Sequence, residues 1–224
     1  MYEFDFNVII NALPQILEGI KITLFISVIS SVAAFLIGLT TVFMRTMGGK
    51  LLRGLGGVYV EVIRNTPLLI QLYFVYKVLP SLNLNLDPIA CGIIALSIYT
   101  GSYISEVLRS GVNSITSEQY QAARGLGFSK IQAFRLIIFP QAIRVVIPPL
   151  GSQFINLVKN SSLVSFIAVT DLFYIIYKGA VDDFRFLEFF VVGALIYMVL
   201  TGFIALISGM CEKFADNQSR EVRI

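Results

Sequence analysis

Long apolar runs, separated by short polar and charged stretches, set the pattern of this chain. Windows near 20–43, 58–79, 88–108 and 187–210 are mostly apolar, and each reaches the about 20 residues that a helix needs to cross the hydrocarbon core of a bilayer. A fifth window, 141–165, opens with Ile143, Val145, Val146 and Ile147 and then carries Gln153, Asn156, Lys159 and Asn160; its length predicts a further span. The stretch 169–186 is too polar to cross, yet Leu172, Phe173, Ile175, Ile176 and Tyr177 give it an apolar side, which predicts a short interfacial helix. No internal repeat and no low-complexity linker breaks the pattern. Residues 1–224 therefore read as a single all-α integral membrane domain with five transmembrane helices.

The charges give this layout a direction, because cytoplasmic connections are enriched in Lys and Arg. Arg45, Lys50 and Arg53 lie between the first two runs, Arg109, Arg124, Lys130 and Arg135 between the third and fourth, and Lys213, Arg220 and Arg223 after the last. The opposite side receives the acidic N-terminus, the turn at 80–87 and the segment around Asp182 and Asp183. Five spans with the N-terminus outside and the C-terminus in the cytoplasm satisfy every connection. The first 18 residues carry Glu3, Asp5 and Glu18 but no basic residue, so they lack the basic start of a cleavable signal and the first run is expected to remain in the mature protein.

Composition narrows the function. The chain is 56% hydrophobic and 14% charged, with a mean hydropathy of +0.80, too apolar for an ordinary soluble domain. Its net charge of +3 comes from short inter-span stretches, with no basic stripe interleaved with aromatics, so a nucleic-acid partner is not expected. The absence of histidine removes the commonest general base and metal ligand. Cys91 and Cys211 suggest neither a metal cluster nor a disulfide framework and read as packing residues. No phosphate-binding loop occurs, since Gly48-Gly49-Lys50 lacks the earlier glycine that such a loop requires. Any ATP, with its magnesium, must be bound and hydrolysed on another chain.

The connection at 117–135 is too long and too patterned for a minimal loop. Ser117 can cap a helix that Gly127 ends, and Ser129 can cap a second, giving a helix-turn-helix on the cytoplasmic side. Gln121-Ala122-Ala123, Gly127 and Ile137-Ile138-Phe139-Pro140 resemble the Glu-Ala-Ala loop of bacterial ABC importer permeases, with Gln121 in place of Glu and Phe139 in place of Leu. The stretches 61–72 (Glu-Val-Ile-Arg-Asn-Thr-Pro-Leu-Leu-Ile-Gln-Leu), 103–111 (Tyr-Ile-Ser-Glu-Val-Leu-Arg-Ser-Gly) and 157–163 (Leu-Val-Lys-Asn-Ser-Ser-Leu) are similar to signatures of the polar amino-acid branch of the same family. The resemblance implies a type I importer permease in the bacterial cytoplasmic membrane. It further implies two ATPase subunits docked on Gln121, Ala122, Ala123, Arg124, Gly127, Phe128 and Lys130, a second permease subunit expected to be an identical copy, and an extracytoplasmic amino-acid-binding protein. Small side chains at Ala122, Ala123 and Gly127 suit such docking because they admit close approach of another surface.

Ionisable groups inside a span are costly and mark a pathway or a pair. Glu61, Arg64, Asn65, Leu68 and Gln71 share one helical face, Tyr99, Ser102, Tyr103 and Glu106 another, and Asn156, Lys159, Asn160, Ser161 and Ser162 interrupt the fourth span. Pro67, Pro148 and Pro149 are expected to interrupt the flanking backbone and free polar groups there. A zwitterionic amino acid needs a cation for its carboxylate and acceptors for its ammonium. Arg64, Asn65, Tyr99, Tyr103, Glu106, Asn156, Lys159, Asn160, Ser161 and Ser162 are therefore the substrate-binding candidates. The plainer reading is that Glu61, Arg64, Glu106 and Lys159 pair with one another or reach the interface, and that the tyrosines pack. Glu106 and the amides favour a basic or amide cargo. The rival from another class is a small ion channel or ion-coupled carrier working without ATP, which would have no use for the loop at 117–135.

Overall fold

The Asp5 carboxylate accepts a hydrogen bond from the Asn7 N–H at 2.9 Å and so starts the first helix of the computed structural model, which describes residues 3–115 and 117–221. The side chains of Ser117, Lys130 and Arg220, and the whole of Arg223, lie outside the described residues. Helix α1 runs Phe6–Met47 without a break at Pro14. At 1.5 Å per residue it is about 63 Å long, roughly twice a bilayer core. The predicted span at 20–43 thus extends several turns towards the N-terminus, where Asn7, Asn11, Gln15 and Glu18 lower the hydropathy without opposing the helix.

The window 58–79 is not one helix. It is divided between α2, Lys50–Arg64, and α3, Leu68–Ser81, because Pro67 has no N–H to give and pushes the residue before it out of the helical region. Side chains around the break occupy four of its carbonyls. Asn65 Nδ2 donates to the Glu61 carbonyl at 2.8 Å, Thr66 Oγ1 donates to the Val62 carbonyl at 3.0 Å, and Gln71 Nε2 reaches back to the Ile63 carbonyl at 2.9 Å and the Thr66 carbonyl at 3.1 Å. The carbonyls of Glu61, Val62, Ile63 and Thr66 are thus not left for substrate. Pro148 and Pro149 do not interrupt the backbone as expected, since they lie inside the unbroken helix α7, Phe139–Ser161; having no N–H, they leave the carbonyls of Arg144 and Val145 without the donor four residues on.

Helix α4, Pro88–Asn113, is capped by Asp87 and packs along α1. A Cβ on Gly38 would lie 2.6 Å from the Ile104 side chain, and one on Gly101 would lie 2.8 Å from Ile37; glycine at both crossings lets the two helices close. Helices α4 and α7 run antiparallel. Gly111 lies beside Val146, Ile104 packs with Leu157, and Gly92 lies beside Val164, so 159–162 stand abreast of Tyr99.

Helix α7 ends in a 3₁₀ turn, Ser162–Ile167, with Ala168 in the left-handed region at φ 66°. The segment expected to be interfacial forms α8, Leu172–Asp182, whose Leu172, Ile176 and Ala180 are buried with Ile16 and Phe189. Helix α9, Phe186–Glu221, begins beside the chain start, where the Asp5 N–H meets the buried Glu188 carboxylate at 3.3 Å. Its Met198, Val199, Phe203, Leu206 and Met210 face outward, as lipid requires. Cys91 belongs to the core, whereas Cys211 is exposed and does not pack. Among the described residues, Phe6–Met47, Pro88–Gly111, Ile131–Ile167 and Phe186–Ala215 are long and apolar enough to cross a membrane, and Leu68–Ser81 is a shorter apolar helix.

Candidate functional site

Gly57, Val60, Glu61 and Arg64 recur on one face of α2 at helical spacing, and they turn that face towards α4. With Asn65, Tyr103, Glu106 and Arg45 they line a cavity of about 520 Å³. Four of the predicted substrate residues, Arg64, Asn65, Tyr103 and Glu106, are thereby brought together, and Tyr99 joins them through a contact of 3.2 Å between its hydroxyl and that of Tyr103. The Arg64 guanidinium stands over the Tyr103 ring at 4.9 Å, a cation–π contact that holds the charge in place.

Glu106 is already occupied. Its Oε2 accepts from Arg45 Nη1 at 2.7 Å, and its Oε1 accepts from Arg109 Nε at 2.9 Å and from Nη2 of the same side chain. Neither Arg64 nor Glu61 takes part, and both are without an ion pair among the described residues. Sequence reasoning missed Arg45 because it lies 61 positions from Glu106 and carries no local signal beyond its place at the inner end of α1.

The candidates on α7 do not line this cavity. Asn156 and Lys159 are exposed and Asn160 is half-buried. Ser161 and Ser162 donate at 2.8 Å to the carbonyls of Val158 and Lys159, three residues back along the chain.

The connection between α4 and α7 has the predicted form. Helix α5, Ser117–Gly125, closes on Gly127 at φ +88°. The Phe128 N–H donates to the Ala123 carbonyl at 3.2 Å and the Gly127 N–H to the Arg124 carbonyl at 3.1 Å, the paired bonds of a Schellman ending. Ser129 and Gln132 then cap each other reciprocally, at 3.2 and 2.8 Å, and start α6, Lys130–Ala133. A π turn at Phe134–Ile138 joins α6 to α7 and accommodates Pro140 at the start of α7, which cannot donate to the carbonyl of residue 136. Gln121, Ala122 and Arg124 are exposed and Phe128 is half-buried, whereas Ala123 is buried within the loop itself. Leu126, at 79% exposure, is the most prominent apolar side chain of the connection.

A further buried polar group lies at the start of α8. Asp171 Oδ1 accepts from the Tyr174 N–H at 3.0 Å, while Oδ2 has no partner among the described residues. Tyr197 of α9 approaches without an aligned hydrogen bond, and Thr23 Oγ1 of α1 accepts from the Leu172 N–H at 3.0 Å. Burial pushes the Asp171 carboxyl up to about 6, against smaller lowering by the backbone N–H groups.

Residues 34–213 match the model of the binding-protein-dependent transport system inner membrane component family. The chain belongs to that family. This permease is 40% identical over 195 residues to the probable glutamine ABC transporter permease protein GlnM of Bacillus subtilis (strain 168), covering 87% of this chain and 90% of the relative. It is 36% identical over 201 residues to the glutamine transport system permease protein GlnP of Escherichia coli (strain K12), covering 89% and 92%. A solved amino acid ABC transporter with histidines superposes with a TM-score of 0.87 at 31% identity, covering 95% of this chain and 99% of that one. The permease is accordingly a multi-pass inner-membrane subunit of an amino-acid ABC importer and not an enzyme; such permeases work with separate ATPase subunits and a substrate-binding protein. The channel or carrier working without ATP is set aside by this membership.

Proposed function

We propose that this permease imports a polar amino acid with an uncharged amide side chain. The observation that carries the proposal is the charge balance of the cavity: Arg45 and Arg64 against Glu61 and Glu106, with Glu106 already held by two guanidiniums. No carboxylate pair is left for a cationic side chain beyond the one needed by the α-ammonium, and no cluster of free cations awaits an anionic one. The names of GlnM, a probable glutamine ABC transporter permease protein, and GlnP, a glutamine transport system permease protein, point the same way.

In this reading α1, the α2–α3 pair, α4, α7 and α9 make five spans, with the N-terminus outside and the C-terminus in the cytoplasm. Substrate handed over by the binding protein passes the level of Asn160 and Tyr99 and descends the tyrosine pair to the cavity at Arg64, Asn65 and Glu106. Asn156, Lys159, Ser161 and Ser162 border the upper part of that path. Two permease copies dock on two ATPase subunits through Gln121, Ala122, Arg124, Gly127, Phe128 and Lys130, with Ala123 supporting the loop from within. ATP and magnesium stay on the ATPase.

The test is uptake by proteoliposomes holding the permease–ATPase complex, ATP inside and binding protein outside. Saturable uptake of labelled glutamine, suppressed by excess asparagine and not by arginine or glutamate, is the expected result. Preferred uptake of arginine or glutamate overturns the amide assignment.

A further inference from the structure

An amino acid in water is two opposite charges about 3 Å apart, and a site that reads this shared part of every α-amino acid needs one cation and one anion at matching separation. Residues three apart on a helix have Cβ atoms about 5–6 Å apart. Glu61 and Arg64 have that spacing on the cavity face of α2, line the same space, and form no salt bridge with each other or with any other described residue. Two features make this more than a solvated pair. The neighbouring Glu106 is closed to substrate by Arg45 at 2.7 Å and by Arg109, so Glu61 is the carboxylate left open in the cavity. Arg64 is held against the Tyr103 ring, whose hydroxyl is in turn held by Tyr99, so its guanidinium loses little freedom when it takes an anion.

We propose that Glu61 and Arg64 form a backbone-reading station: Arg64 takes the α-carboxylate above Tyr103, Glu61 takes the α-ammonium, and the side chain of the cargo lies in the remainder of the cavity. This rests on the reading of the cavity as part of an amino-acid path and assigns Glu61 a role that the sequence left to ion pairing. The station is indifferent to side-chain chemistry. Discrimination among amino acids then belongs to the binding protein and to other residues of the path.

The experiment compares Glu61→Gln, Arg64→Gln and the charge-retaining Glu61→Asp and Arg64→Lys with wild type, in the reconstituted complex with its binding protein, for glutamine and asparagine. Arg53→Gln, on the same helix and outside the cavity, serves as control. Removing a charged hydrogen bond should lower transport about ten- to a hundredfold for each neutralised residue. The loss should be the same, within about threefold, for all transported amino acids, with partial recovery in the charge-retaining variants and none lost in the control. Unchanged transport by either neutral variant overturns the station. So does a loss confined to one side chain, which would make Glu61 a side-chain reader, and so does failure of the neutral variants to co-purify with the ATPase, which would make the residues structural. If the wild type itself transports no amino acid, the proposed function falls, and that outcome is read before any variant.

Discussion

At the scale of single residues, Asp171 and Glu106 carry opposite consequences. Asp171 keeps its proton to about pH 6 in the folded chain and to about 3.9 in the unfolded one. The folded state therefore binds more protons between those values, and the stability associated with this group is fully present below about pH 4 and is lost as pH rises to about 6. Asp171→Asn keeps an oxygen to cap α8 and removes the charge, so thermal melts followed by circular dichroism should show a variant more stable than wild type at pH 7 and equal to it near pH 4. The gap is on the order of 3 kcal/mol; a variant less stable at both pH values would assign Asp171 a needed negative charge. Glu106 is the contrary case. Glu106→Gln leaves Arg45 and Arg109 without their anion and should lower stability by about 1–3 kcal/mol, read as earlier labelling of the buried Cys91 by a thiol dye on heating in a Cys211→Ser background. Unaltered labelling would show that the pair of guanidiniums finds other partners.

Helices and their junctions decide a different set of outcomes. Gln71 bridges the break between α2 and α3, so Gln71→Leu should orphan the Thr66 carbonyl, take the shortest bond from the Ile63 carbonyl and destabilise by about 1–3 kcal/mol; a melt unchanged by the substitution would mean that water serves those carbonyls equally well. In the connection between α4 and α7, Gly127→Ala places a side chain at φ +88° and should cost about 1–2 kcal/mol of local stability. Leu126→Asp touches nothing inside the chain and should leave the melt unchanged while abolishing co-purification with the ATPase. Full ATPase recovery with Leu126→Asp would move the docking surface off this turn. Ala123, which the sequence pattern groups with the exposed small residues, is a supporting residue because its helix face turns inward.

For the whole molecule, charge distribution sets orientation. In a background without Cys91 and Cys211, a cysteine placed at Asp182 should react with an impermeant reagent from outside the cell and one placed at Lys130 should not; labelling of Lys130 from outside would reverse the topology. The apolar windows, the basic connections and the helix ends at Gly127 and Ser129 were all legible in the sequence, because each depends on neighbours within a few residues or on transfer to lipid, which composition alone determines. The shared face of Glu61 and Arg64 was legible for the same reason, whereas its predicted continuation to Leu68 and Gln71 is cut by the break between α2 and α3. Other features needed the tertiary structure. The closing of Glu106 by Arg45, the bridging of the Pro67 break by Gln71, the burial of Ala123 and the separation of the α7 polar row from the cavity depend on which helix faces meet and on how side chains settle there. The small residues Gly38 and Gly101 decide how closely α1 and α4 approach, and hence that Arg45 reaches Glu106. Local sequence determines which groups are polar within the membrane, and packing between distant helices determines which of them remain free to bind.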